Sequence, residues 1–211
     1  MNLLHIDSSV SGEASASREI SAAIVSALSR TIPSLSVVRR DLEADPLPHL
    51  DNRLLSTIRP DPSRPSAATA ADAEDAAEAL REFLEADVVV IGAPMYNFTV
   101  STQLKAWLDR ILIAGKTFAY SQEGPIGLAG AKRVIIASTR GGIYSGDAPS
   151  AVNDFQESYL RAVFRFIGVE EIEIVRAEGL AYGPEQREAA IGAALAAIPT
   201  LAASYAPRIA A

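Results

Sequence analysis

The chain has 211 residues, enough for one α/β domain with a sizeable core and short for two. Its net charge of −7 and pI near 4.9 argue against nucleic acid as a main partner, since phosphate-backbone binding needs clustered Lys and Arg. With no cysteine, disulfide frameworks, thiolate metal sites and cysteine nucleophiles are excluded, and the two histidines, His5 and His49, show no metal-ligand spacing.

In chain order, Leu3 to Asp7 is a short apolar run ending in Ser8 and Ser9, which suits a buried parallel strand. Ser17 to Arg30 places Ile20, Ile24, Val25 and Leu28 at helical spacing, and Leu35 to Arg39 reads as a second strand. Asp45 to Ser66, rich in proline, reads as an irregular excursion within a single domain spanning 1–211, because the α/β rhythm resumes after it. Ala70 to Glu85 is an alanine-rich helix whose acidic run reads as a solvated face. Asp87 to Ala93 is the strongest strand signal; an unalternated apolar run implies burial on both faces. Thr102 to Ala114 is helical, with Trp107 on its apolar side and Lys105 and Asp109 paired at i,i+4. Arg133 to Ala137, Val152 to Ile167, Glu171 to Val175 and Pro184 to Tyr205 complete the pattern as strand, helix, strand and helix.

Five strands alternating with helices predict a doubly wound α/β fold with a parallel sheet in the order 2-1-3-4-5 and helices on both faces. That order opens a crevice at the carboxyl ends of strands one, three and four. His5, inside strand one, reads as a satisfied core histidine. No apolar run approaches the ~20 residues needed to span a bilayer, and the start lacks the basic region of a secretory signal. The expectation is a soluble cytoplasmic protein with no membrane partner.

Three loops meet at the crevice. Ser8, Ser9, Ser15, Ala16 and Ser17 flank the entrance to the first helix, where free N–H groups and the helix dipole favour an anion. The same serines also read as plain helix caps, and Ser-x-Ser leaves both readings open. The third strand delivers Met95, Tyr96, Asn97 and Phe98, a combination suited to a flat, partly polar ring. The fourth ends in Thr139, Arg140, Gly141 and Gly142, where paired glycines are expected to adopt positive φ and to let backbone approach a planar ligand. No G-x-G-x-x-G pattern supports a dinucleotide site, and no G-x-S-x-G elbow supports a serine hydrolase.

Ala93 to Phe98 (Ala-Pro-Met-Tyr-Asn-Phe) with Ser101 to Trp107, Ala114 to Phe118 and Thr139 to Gly142 resembles the FMN-dependent NADH-azoreductase and NADH:quinone oxidoreductase family. The likeness runs from Asp7 through Phe166 to Gly168 and on to Ala177 to Pro184, nearly the whole chain. It implies a flavodoxin-like fold in which Ser9, Ser15 and Ser17, with Ala16 between them, hold the FMN phosphate. Met95, Tyr96, Asn97 and Phe98 would line the isoalloxazine, and Thr139 to Gly142 would close over its other side. It further implies a homodimer with active sites at the subunit interface, so that Tyr120 and Phe166 join Asn97 and Phe98 in the acceptor pocket.

The implied activity is hydride transfer from NADH through FMN to quinones, and to azo compounds cleaved to aromatic amines, by a ping-pong cycle. The chemistry would be the flavin's, with no catalytic side chain and protons drawn from water or the reduced flavin. The alternative is a monomeric flavodoxin-like electron carrier without turnover of its own. The absence of a basic cluster for a 2′-phosphate leans towards NADH over NADPH. Thr139 stands where the family more often has serine, and Ala16 and Ala119 replace bulkier or charged residues. Tyr144 to Phe155 falls in a variable stretch to which nothing is carried over.

Overall fold

A computed structural model describes residues 1–55 and 68–206. Much of the proline-rich excursion, from position 56 to 66, therefore lies outside the described residues. Five parallel strands form the sheet: β1 (Asn2–Asp7), β2 (Ser36–Asp41), β3 (Val88–Pro94), β6 (Arg133–Thr139) and β7 (Glu171–Ala177), in the order β2-β1-β3-β6-β7. In sheet-strand numbering this is the expected 2-1-3-4-5. Every residue of β3 is buried, as its unalternated run requires of a central strand, whereas β2 leaves Val37 and Val38 exposed at the sheet edge.

The pleat divides the core in two. Leu4, Ile6, Val89, Ile91, Val134 and Ile136 face α2 (Ala70–Glu85), α3 (Thr102–Ile111) and α4 (Phe155–Phe166). There Phe83 meets Trp107 edge to face at 6.0 Å. Leu3, Val88, Val90, Ile135 and Ala137 face α1 (Ala16–Thr31) and α5 (Pro184–Ala203). Trp107 is wholly buried, and Lys105 Nζ lies 2.7 Å from Asp109 on the exposed side of α3. The acidic face of α2 is only partly solvated, because Glu78 and Glu82 both take hydrogen bonds from the buried Arg40.

Helix ends depart from the sequence periodicity where side chains intervene. The third helix stops at Ile111 rather than Ala114, because Thr117 Oγ1 donates to Ile111 O at 2.6 Å and Gly115 turns the chain at φ 77°. The fourth helix starts at Phe155 rather than Val152, with Asp154 capping the amides of Gln156 and Glu157. It ends in a Schellman motif: Gly168 at φ 92° donates to Arg165 O, and Val169 donates to Phe164 O.

One element is absent from the sequence reading. Phe118–Ser121 (β4) and Gly124–Gly127 (β5) form an antiparallel hairpin outside the main sheet. Its strands are only four residues long, and the second carries two glycines and a proline, so no sustained alternation announces them. The hairpin packs backbone to backbone on the end of α4, and a Cβ on Gly127 would collide with Gly168. Among the described residues, no helix is long and apolar enough to cross a membrane.

Candidate active site

The carboxyl ends of β1, β3 and β6 converge, and each contributes a loop. After β1, Ser8 Oγ donates to Gly92 O at 2.7 Å, which ties this loop to the central strand. Ser9 Oγ lies 3.2 Å from the Tyr96 hydroxyl, and the Val10 amide donates to that same hydroxyl. Ser15 caps α1 by accepting from Arg18 N, and its hydroxyl pairs with Ser17 Oγ at 3.0 Å. Capping is therefore real. It does not close the anion site, because the first amides of a helix, those of Ala16 and Ser17, have no intrahelical acceptor.

A buried charged network supports this loop from below. Asp7 accepts from Ser21 at 3.0 Å and from Arg39 at 2.9 Å, and His5 Nε2 is 3.0 Å from Ser21 Oγ. Burial pushes the Asp7 carboxyl up, but its bonds with His5, Arg39 and Ser21 outweigh that and hold it below the usual range. Arg18 pairs with Asp41 through Nη2 at 2.7 Å and donates to Ser9 O at 3.0 Å. The Arg18 bond, with help from the Glu43 and Ala44 amides, pulls Asp41 down to about 2.

The loop after β3 is a two-residue reversal. Tyr96 N donates to Thr99 O and Thr99 N to Tyr96 O, with Asn97 at φ 47° and Phe98 at φ 73° between them. Both central residues at positive φ is the type I′ arrangement that Asn-Gly normally fills. Asn tolerates it; Phe does not, and the strain sits on the exposed aromatic that faces Tyr144 at 6.3 Å.

After β6, backbone pairs bind the loop to the segment following β7: Arg140 N to Ala177 O, Leu180 N to Arg140 O, and Ala181 N to Gly141 O. Neither Gly141 nor Gly142 has positive φ, contrary to the expectation above. Gly142 is needed for space, since a Cβ there would press on the Tyr144 ring at 3.1 Å. The Arg140 guanidinium is buried and turned away among Asp154, Glu157 and Glu178, so only its backbone borders the crevice. Burial raises the Glu157 carboxyl, yet Arg176 and Arg140 more than reverse that and keep it ionised. Gln156, unremarked in the sequence, bridges the carboxyl ends of β3 and β6 by donating to Ala93 O at 2.7 Å while its Oε1 accepts from Ser138.

Residues 1–201 match a family model described as flavodoxin-like fold. The chain belongs to this flavodoxin-like family. A protein of Methylocella silvestris named FMN-dependent NADH:quinone oxidoreductase is 52% identical over 204 residues, covering 97% of this chain and all of the relative. One of the same name from Stenotrophomonas maltophilia is 54% identical over 200 residues, 95% of each. Among solved structures, an FMN-dependent NADH-azoreductase from Bacillus anthracis in complex with FMN superposes with a TM-score of 0.86 at 27% identity, covering 98% of this chain and 99% of that one.

In this flavodoxin-like chain, Ser9, Ser15, Ala16, Met95, Tyr96, Thr139, Arg140 and Gly141 line one cavity of about 200 Å³. Ser17, Asn97, Phe98 and Gly142 lie on the same loops without lining it. Leu180 and Arg187 line it too. Sequence reasoning missed both: Leu180 falls in the Ala177 to Pro184 stretch of the resemblance but bears no polar group to mark it, and Arg187 arrives from the helix beyond with no local motif. Tyr120 and Phe166 are elsewhere: they border an apolar groove of about 1050 Å³ with Leu50, Leu112, Phe118 and Tyr159. Within this chain the structure does not bring Tyr120 or Phe166 into the cavity that Met95 and Tyr96 line.

Proposed function

We propose that the chain is an FMN-dependent NADH:quinone oxidoreductase that also reduces azo compounds, working by a ping-pong cycle as a cytoplasmic, single-domain homodimer. The observation that carries this reading is the convergence of the serine, Tyr96–Thr99 and Thr139–Gly142 loops at one crevice. Relatives bearing the quinone oxidoreductase name match over nearly their full length, which supports it.

The residues present fit FMN. The cavity, about 200 Å³ and open to solvent, is lined by serine hydroxyls and the start of α1, which suits a phosphate and ribityl chain. The ring would lie along the more open rim, between Met95 to Phe98 on one side and Thr139 to Gly142 on the other. Bound FMN would supply two-electron hydride chemistry. The chain's part is to present Ser9, Ser15 and Ser17 to the phosphate, to hold the strained turn in place, and to leave one slot for donor and acceptor in turn.

The separate apolar groove supports the dimer. Tyr120 is 73% exposed and Phe166 37%, a cost in water that a second copy would remove. Seating two copies so that each groove closes the other's crevice would return Tyr120 and Phe166 to the acceptor pocket.

The test is FMN uptake followed by NADH oxidation with a panel of quinones and an azo dye. The reading expects yellow protein that turns over both acceptor classes. Protein that neither retains FMN nor consumes NADH overturns it.

A further inference from the structure

Three arginines stand on the elements around the crevice, and the guanidiniums of two of them are spent on carboxylates. Arg18, next to Ser17 in sequence, is paired with Asp41. Arg140 is enclosed by Asp154, Glu157 and Glu178. The third, Arg187, stands in the first turn of α5 and lines the cavity beside Ser9, Ser11 and Ser15. Its Nη2 donates to Ala14 O at 2.8 Å, which draws the side chain across the short turn that precedes α1. Among the described residues no carboxylate lies within 4 Å of this guanidinium. Glu19 and Glu188 do not line this cavity; they border an adjoining depression that Arg187 also lines, without pairing with it. A guanidinium has five N–H donors, and one is engaged here.

From this arrangement we propose that Arg187 supplies the positive charge for the phosphate of bound FMN, making the chain selective for the phosphorylated flavin. The proposal rests on the FMN reading above and deepens it. The serines and the α1 amides offer hydrogen bonds and partial charge, but a phosphate near neutral pH carries up to two full charges. Arg187 is the one lining side chain whose charge is not already balanced by an ion pair. A charge-assisted bond of this kind corresponds to about tenfold or more in affinity.

The experiment compares FMN and riboflavin binding, by quenching of flavin fluorescence, in wild type, Arg187→Gln and Arg187→Lys. Arg187→Gln is expected to weaken FMN about tenfold or more, to leave riboflavin affinity unchanged, and to flatten the salt dependence of FMN binding. Arg187→Lys is expected to restore most of the FMN affinity. Equal weakening of FMN and riboflavin would show that only the Ala14 tether matters and would overturn the proposal. Unchanged FMN binding in Arg187→Gln would overturn it as well. Wild-type chain that takes up no FMN at all would instead remove the functional reading itself, and this proposal with it.

Discussion

Phe98 occupies a backbone region that costs a bulky residue about 1–3 kcal/mol, and it does so on the rim of the crevice. If the strain is retained for function, Phe98→Gly will be at least as stable as wild type, while quinone reduction worsens. Phe98→Val, β-branched at the same φ, should melt below both; thermal denaturation of the three separates the cases. Phosphate contacts belong to the same scale. Ser9→Ala with Ser17→Ala should weaken FMN retention, each hydroxyl contributing about 1.5–3 kcal/mol when it meets a charged oxygen. Equilibrium dialysis reads this directly, and unchanged affinity would remove both residues from the site. The serines, the aromatic turn and Thr139 to Gly142 were all legible as motifs. Arg187 and Gln156 were not, because each reaches the crevice by a long-range contact, to Ala14 and Ala93 respectively.

At the scale of elements, the loops are positioned by buried charge rather than by their own sequence. Glu178 accepts from Arg140 and from the Tyr144 amide, and Ser145 bonds to it as well, so one carboxylate ties β7 to the loop after β6. Replacing Arg140 with Leu would remove the buried positive charge that three carboxylates share at a site that is 1% exposed, leaving Arg176 as the one counter-charge on Glu157 among the described residues. The expected loss is about 3–5 kcal/mol in denaturant titration. Asp41 gives a pH signature. Its folded pKa of about 2 lies below the ordinary 3.8, so its stabilisation is complete above that value and is lost as pH falls from there towards 2. Asp41→Asn should therefore be less stable at neutral pH and show a shallower acid decline across that window. The strands were readable because burial on both faces writes continuous apolar runs, as in β3. The β4–β5 hairpin was not, since its place is fixed by the close approach of Gly127 to Gly168, a contact that leaves no periodicity.

At the scale of the molecule, order β2-β1-β3-β6-β7 brings three loops from distant parts of the chain to one edge. The fold was legible from periodicity alone, and the cofactor from the motifs that the chain shares with its relatives. A second copy is implied by resemblance alone; Tyr120 and Phe166 border a groove of their own, which the proposed dimer would close. Tyr120→Asp with Phe166→Asp should shift solution mass from dimer to monomer and abolish quinone turnover. A monomeric wild type with full turnover would contradict this. The most direct test of the central claim is an anaerobic titration of FMN-loaded protein. NADH should bleach the visible flavin absorbance in the absence of any acceptor, and a quinone added after the nicotinamide is removed should restore it. Flavin absorbance that NADH leaves untouched, or that quinone fails to recover, would contradict the account.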